Sequence, residues 1–214
     1  MNPFPIILSS PSGGGKTTIA HQLLERRADV GYSVSCTTRA PRPSEQEGRD
    51  YYFLTRDEFV ARRAKGDFAE SAEVHGNLYG TLKSEITRIL GTDRHVILDI
   101  DVQGARQIQV AFPKAVTIFV LPPSGEVLLE RLQRRKTESP QQLVARLNSA
   151  LQELRAVEEY EYVVVNDDLD RAVQRVNAII DAEVVSQERV AGLRQNVETL
   201  IRRLQAEVEH HSLS

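Results

Sequence analysis

The sequence contains very little cysteine: Cys36 is the only one among 214 residues. A single cysteine excludes a disulfide within the chain and is typical of a reducing compartment. Long apolar runs are also missing, because no uninterrupted stretch approaches the ~18 residues that a membrane-spanning helix needs. The N-terminus lacks the basic-then-apolar order of a signal peptide. We therefore expect a cytoplasmic protein with no membrane partner.

An excess of positive charge is absent as well. Lysine and arginine number 27 against 30 aspartates and glutamates, which gives a net charge of −3. General nucleic-acid binders are usually basic, so we expect no nucleic-acid partner and only local anion sites. The five histidines show no ligand spacing and predict no zinc site. A hydrophobic content of 41% with 27% charged residues is typical of a folded globular protein.

Short apolar runs separated by amphipathic segments predict the fold class. Runs that lack polar alternation indicate strands buried on both faces, and they lie at Phe4–Leu8, His95–Ile100, Ala115–Leu121 and Tyr162–Asn166. Helical periodicity covers Lys16–Arg27, Val102–Ala111, Ser124–Arg134, Pro140–Val157 and Asp168–Ile180. This alternation predicts an α/β fold, a parallel sheet flanked by helices with right-handed crossovers.

Two regions depart from this alternation. The stretch from Tyr32 to Leu90 has short elements and many polar residues, and we predict that it is an inserted substrate-binding subdomain. Its predicted elements are a strand at Tyr32–Cys36, a helix after Arg56 that stops near Gly66, a strand at Phe68–Val74 and a helix at Leu82–Leu90. From Val190 onward, apolar residues recur at steps of three and four. This last helix either packs on its own domain or forms a dimer seam, so monomer and homodimer both remain open.

The stretch SSPSGGGKTT, directly after the first predicted strand, carries most of a phosphate-loop pattern. In G-x-x-x-x-G-K-[ST], backbone N–H groups cradle phosphates, the lysine reaches the outer phosphates and the hydroxyl ligates Mg²⁺. Here the closing half is Gly15, Lys16 and Thr17, whereas the small Ser10 replaces the opening glycine. The alternative is a glycine turn with a solvated lysine. The order strand, glycine turn, helix favours a polyphosphate site formed by Ser10, Pro11, Ser12, Gly13, Gly14, Gly15, Lys16, Thr17 and Thr18.

A second anion site is predicted in the stretch SVSCTTRAPRPSEQEGRDYYF. Arg39 and Arg42 are separated by Ala40 and Pro41, and the proline keeps this segment extended. Two guanidinium groups with hydroxyls nearby make a suitable seat for a single phosphate. A solvated basic loop is the alternative.

These stretches, with FAESAEVHGNLYGT, ILDIDVQGARQI and VVVNDDLDRA, resemble guanylate kinase, an ATP-dependent nucleoside monophosphate kinase. The resemblance extends over roughly Ile6 to Val173. It implies a core of residues 1–31, 92–123 and 158–186, a GMP-binding subdomain at 32–91 and a lid at 124–157, followed by a C-terminal helix at 187–209.

The same resemblance implies the residues that bind GMP. Ser35, Arg39, Arg42, Tyr51 and Tyr79 match the phosphate-binding positions, and Glu70 and Thr81 match those that read guanine. The chemistry agrees, because one carboxylate can accept both N1–H and N2–H₂ of guanine while a hydroxyl donates to O6. Adenine would present an acceptor to that carboxylate, a mismatch that can reject a base by roughly 10⁴-fold. A solvent-exposed edge-strand acid is the alternative for Glu70.

The resemblance implies three further sets of residues around ATP and the reacting phosphates. Asp99 and Asp101 end a predicted strand, and alternation places both on the same side of it, where open α/β sheets bind ligands. One of them would orient Mg²⁺-bound water and the other would touch GMP. The alternative for Asp101 is a cap of the next helix, which does not exclude a role in substrate binding. Arg131, Arg135 and Arg146 match the lid arginines of the family, although Lys136 replaces the usual glycine; the alternative is a solvated basic helix. Asn166 matches a family position that contacts the adenosine of ATP. The alternative is that the segment VVVNDDLD only provides a helix cap, through Asp167 or Asp168.

The expected reaction follows from the resemblance: ATP and GMP (or dGMP) give ADP and GDP with Mg²⁺, in purine nucleotide metabolism and GMP recycling. Lys16 would bridge phosphates and Thr17 would hold the metal. A non-catalytic scaffold module of the same fold is a second hypothesis, and the presence of Lys16 and the lid arginines argues against it. A kinase of sugar phosphates is a third, and Glu70 with Thr81 favours a guanine base instead.

Overall fold

The computed structural model describes residues 2–74, 76–133 and 140–212. In this part of the chain nine strands form two sheets: β1 Pro5–Ser9, β2 Val30–Tyr32, β3 Cys36–Thr37, β4 Tyr52–Phe53, β5 Phe68–Val74, β6 Asn77–Leu82, β7 His95–Asp99, β8 Val116–Leu121 and β9 Tyr162–Val165. The main sheet is parallel throughout, in the order β2-β7-β1-β8-β9. The predicted α/β class with a parallel sheet is therefore confirmed.

The main sheet is covered on both faces, which explains why its strands do not alternate with polar residues. Ile6 and Leu8 pack in one hydrophobic cluster, whereas Ile7 between them packs in another on the opposite face. Successive side chains of a strand point to opposite faces, so a strand between two helix layers must be apolar at every position. The carboxyl ends of β1 and β7 lie side by side, with Leu8 paired to Asp99.

The helices supply the two layers. Their bounds are α1 Lys16–Arg26, α2 Arg56–Ala64, α3 Lys83–Leu90, α4 Val102–Ala111, α5 Gly125–Gln133, α6 Pro140–Arg155, α7 Leu169–Val184 and α8 Leu193–Ser212, with a turn of 3₁₀ helix at Ala156–Glu159. Helices α1 and α7 cover one face of the main sheet and α3 and α4 the other. The N-terminus of α2 is closed by a reciprocal capping box between Thr55 and Glu58.

The second sheet has the order β4-β3-β6-β5 and is built from residues 36–82. The prediction of one strand over Tyr32–Cys36 is wrong, because the backbone leaves the main sheet after Tyr32 and enters the second sheet at Cys36. Both ends of that segment are partly or fully buried, but against different sheets. Strands β4 and β6 were not predicted: β4 is only two residues long, and β6 forms an antiparallel hairpin with the preceding β5, with Asn77 opposite Val74.

Helix α8 leaves its apolar side in solvent, which contradicts packing on its own domain and leaves the dimer seam as a prediction. None of its residues is buried, and Leu200, Leu204 and Val208 are 64%, 66% and 65% exposed. Helical periodicity predicts an apolar stripe but does not say what covers it. Among the described residues, no helix is long and apolar enough to cross a membrane.

Candidate active site

The glycine-rich loop connects β1 to α1 and needs its glycines for two reasons. Gly13 and Gly15 have φ angles of 84° and 94°, in the left-handed region that side chains disfavour. At Gly14 a Cβ atom would come within 2.6 Å of the Ser10 Cβ atom. The loop therefore accommodates Ser10 at its first position because Gly14 has no side chain. The buried Ser10 hydroxyl donates to the carbonyl of Pro11 at 3.0 Å.

The side chains after this loop converge on the end of strand β7. Lys16 Nζ lies 3.2 Å from Asp99 Oδ1, and the Thr17 hydroxyl donates to the other oxygen of the same carboxylate. Thr18, the next residue, is exposed in the first turn of α1. A lysine, a hydroxyl and a carboxylate thus meet at the carboxyl edge of the sheet, where open α/β sheets bind ligands.

Three predicted residues hold the loop from outside. The buried Asn166 donates from Nδ2 to the Gly14 carbonyl at 2.9 Å. Arg131 Nη1 lies 3.4 Å from the carbonyl oxygens of both Gly13 and Gly14. Arg146 donates to the Leu132 carbonyl at 3.0 Å and lies 3.5 Å from the Ser12 hydroxyl. Arg135 and its neighbour Lys136 lie outside the described residues.

A buried carboxylate lies across the cavity from the loop. Glu70 is 6% exposed and accepts a hydrogen bond from the Thr81 hydroxyl at 2.7 Å. The pKa of Glu70 is raised to about 7, mainly by burial and also by the nearby charge of Asp101, whereas the Thr81 hydrogen bond opposes both effects. The Thr81 hydroxyl also lies 3.4 Å from that of Ser35. Glu70 does lie on an edge strand of the second sheet, but the alternative of a solvent-exposed acid is wrong because its carboxylate is buried.

The two arginines of the second predicted anion site converge on one carboxylate. Arg39 donates to both oxygens of Glu45 at 2.8 and 2.9 Å, while Arg42 approaches it at 3.9 Å and donates its backbone N–H to it at 2.8 Å. The Arg39 guanidinium lies 5.5 Å from the ring of Tyr51, whose ring is 6.1 Å from that of Tyr79. Both arginines can therefore reach a single anion. Sequence reasoning missed Glu45, whose signal was an acid three residues after Arg42.

One cavity of about 880 Å³ extends from Lys16 of the glycine-rich loop to Ser35, Tyr51 and Tyr79, the predicted neighbours of Arg39 and Arg42. Its wall includes Lys16, Asp99 and Asp101 on the core side and Glu70 and Tyr79 on the second sheet. Asp101 caps helix α4 by accepting the Gly104 N–H at 2.8 Å and also lines the cavity, while its contact with GMP stays a prediction. Helix α6 closes the cavity with Arg146 and with Glu153, which sequence reasoning did not identify.

The phosphate loop and a buried carboxylate that can accept hydrogen bonds from a nucleobase line one cavity at the edge of a parallel sheet. This arrangement defines the class of P-loop kinases whose substrate is a small molecule that already carries a phosphate. Comparison with known proteins supports this class. The family model described as guanylate kinase matches residues 2–183. The chain is 48% identical over 177 residues to a guanylate kinase of Nitrosospira multiformis, covering 83% of this chain and 84% of that protein. It is 47% identical over 180 residues to one of Dechloromonas aromatica, covering 84% and 89%.

A solved structure shows the same architecture. The crystal structure of guanylate kinase from Anaplasma phagocytophilum matches with a TM-score of 0.76 and 37% identity, covering 92% of this chain and 94% of that one. The chain belongs to the guanylate kinase family. It is a nucleoside monophosphate kinase, and its reaction is the ATP-dependent phosphorylation of GMP.

Proposed function

We propose that the chain transfers the γ-phosphoryl group of ATP to GMP or dGMP across the cavity between the glycine-rich loop and Glu70, in cytoplasmic purine nucleotide metabolism and GMP recycling. The observation that carries this proposal is that Lys16 and Glu70 line the same cavity of about 880 Å³. A cavity of this size can hold two nucleotides placed end to end with their phosphates facing each other. The active unit is a monomer or a homodimer.

The ATP side is formed by residues 10–18 with Asn166. Backbone N–H groups of the loop and the N-terminus of α1 bind the phosphates, and Lys16 exchanges its contact with Asp99 for phosphate oxygens. Arg131, Arg135 and Arg146, in a lid of residues 124–157, place positive charge around the transferred group. Fixed cations stabilise the charge that spreads over its equatorial oxygens without solvent reorganisation.

The residues present also fit a magnesium ion. Thr17 and Asp99 bring a hydroxyl and a carboxylate into contact, and Mg²⁺ prefers such oxygen ligands. We propose that these two residues hold the metal, directly or through water. When bound, the ion neutralises charge on the phosphates of ATP.

The GMP side is formed by the subdomain of residues 32–91. Ionised Glu70 accepts the N1–H and N2–H₂ groups of guanine, and Thr81 donates to O6 or orients Glu70. The phosphate of GMP takes the place of Glu45 between Arg39 and Arg42, with Ser35, Tyr51 and Tyr79 donating hydroxyl groups. Asp101 contacts GMP on this side of the cavity. The attacking phosphate oxygen is already anionic, so the reaction needs no general base, and closure of subdomain and lid excludes water.

A substrate panel tests the proposal. In a coupled assay of ADP release with ATP and Mg²⁺, we expect turnover with GMP and dGMP and rates lower by roughly 10³-fold or more with AMP, CMP and UMP. Equal rates with AMP and GMP would refute base recognition by Glu70. Lys16→Ala should lower kcat by on the order of 10²-fold or more, because it removes a cation from the transition state. The exposed Lys65, on helix α2's C-terminal end, supplies the control Lys65→Ala, which should retain full activity.

A further inference from the structure

Helix α6 presents an acid and a base to one residue of the glycine-rich loop. Glu153 Oε2 accepts the backbone N–H of Ser12 at 3.0 Å, and Arg146 Nη2 lies 3.5 Å from the Ser12 hydroxyl. The two side chains are seven residues apart, which places them two turns apart on one face of the helix. Ser12 is therefore attached to the lid helix through its main chain and its side chain.

The position of Glu153 is electrostatically unfavourable for an ATP site. Its carboxylate lines the same cavity as Lys16, and burial raises its pKa, whereas the Ser12 N–H and the charge of Lys16 oppose that rise. A carboxylate beside bound phosphates repels them. The hydrogen bond from the Ser12 N–H accounts for a carboxylate at this unfavourable position.

The residue that Glu153 holds directly precedes the three glycines of the loop. Ser12 is followed by three glycines, and Gly13 and Gly15 have left-handed backbone conformations. A run of glycines has many accessible conformations, so keeping it in one shape costs more entropy than for other residues. An anchor at its first residue lowers the number of conformations that remain.

We propose that Glu153 is a positioning residue for the ATP phosphate loop: its carboxylate holds the Ser12 N–H, keeps the loop in its phosphate-binding shape and links that shape to the lid helix. The inference rests on the proposed function, in which the loop binds ATP. It is specific to one substrate, because Glu70 and the Arg39–Arg42 segment do not contact Glu153 or Ser12 through any hydrogen bond recorded among the described residues.

Two variants distinguish the effect of side-chain length at position 153 from the effect of its charge. Glu153→Asp keeps the charge but is one methylene shorter and loses the Ser12 N–H, whereas Glu153→Gln keeps an acceptor of the same length without charge. We expect Glu153→Asp to raise KM for ATP on the order of 10-fold, from the lost charge-assisted hydrogen bond. Glu153→Gln should stay within about 3-fold of the wild type, because a neutral acceptor retains part of that bond. KM for GMP should change less than about 2-fold in both.

The control is Glu158→Gln, which removes one negative charge from an exposed position near the end of α6 and should leave both KM values unchanged. Binding of ATP alone, measured by calorimetry without GMP, gives a second readout that does not depend on the GMP reaction. Normal ATP affinity in Glu153→Asp, an equal loss in Glu153→Gln, or parallel changes for both nucleotides would each overturn the proposal. A wild type that binds ATP but does not phosphorylate GMP would refute the proposed function and leave this test intact.

Discussion

Glu70, which we propose accepts the guanine N–H groups, would link substrate recognition to pH because it is buried. Its side chain has the right chemistry for guanine only as a carboxylate, yet burial and the charge of Asp101 raise its pKa to about 7. The ligand-free protein therefore holds a proton on Glu70 over part of the neutral range. Guanine's two N–H donors stabilise the ionised form, so GMP binding releases that proton.

We therefore expect KM for GMP to rise as the pH falls below about 7. The ligand-free pKa of Glu70 is raised, so each step down in pH protonates more of the carboxylate that guanine needs. Between pH 7 and pH 6 the rise should be roughly 5-fold for a single group of this pKa. Initial rates at varied GMP measure it.

The variant Glu70→Gln is the matched control for this pH dependence, because the phosphate of GMP itself titrates near pH 6. In the variant only the phosphate contribution should remain. An identical pH profile in both proteins would contradict a titrating Glu70.

At the scale of elements, helix α4 and strand β5 together position Glu70, the proposed guanine acceptor. Gln107 of α4 accepts the Ser71 N–H at 3.1 Å and donates to the Ser71 carbonyl at 3.2 Å, so its amide pairs with the strand immediately after Glu70. Gly104 of the same helix lies against Glu70, and a Cβ atom there would stand 3.0 Å from Oε2 of Glu70. A glycine inside a helix costs stability, and this close approach explains it.

Gly104→Ala should therefore weaken GMP binding without unfolding the protein. Alanine stabilises a helix interior by up to about 1 kcal/mol relative to glycine, whereas its methyl group displaces the Glu70 carboxylate by a few tenths of an ångström. We expect KM for GMP to rise roughly 3- to 10-fold and KM for ATP to stay within about 2-fold.

Val110→Ala, at a strongly exposed position of α4, is the control and should change neither KM. Unchanged GMP kinetics in Gly104→Ala would show that the carboxylate has room to adjust.

At the scale of the whole molecule, the two sheets and the helices around them have a hydrophobic core, whereas helix α8 has no buried residue. Arg189, just before α8, stacks on Phe4 at 4.2 Å and donates to the Lys114 carbonyl at 3.0 Å. Beyond it, none of the described residues of α8 is buried. The stability of the nucleotide-binding unit should therefore not depend on this helix.

Deleting residues 191–214 should shift the melting temperature by less than about 2 °C, because no buried contact is lost. Arg189→Ala should lower it by about 2–6 °C, from the loss of roughly 1–2 kcal/mol of hydrogen bonding and stacking. Thermal denaturation followed by circular dichroism measures both. A large loss of stability on deletion would mean that α8 packs against the rest of the molecule in solution.

The sequence by itself determined the parts that depend on local pattern. Apolar runs identified four of the five strands of the main sheet within one residue at each end, because burial on both faces leaves no polar alternation. Helical periodicity identified α4 over its full length. The glycine loop, the paired arginines and Glu70 were also predicted as candidate site residues from their chemistry and their resemblance to the family.

The tertiary structure alone decided what those residues contact. Cys36 lies in the second sheet and not in the strand that contains Tyr32, because sheet membership depends on partners distant in the sequence. Thr81 donates to Glu70, Glu45 bridges the arginines, and Glu153 holds Ser12 across 141 residues of chain. Such contacts produce no periodic pattern in the sequence, because a hydrogen bond between remote residues requires only that the fold bring two groups within about 3 Å.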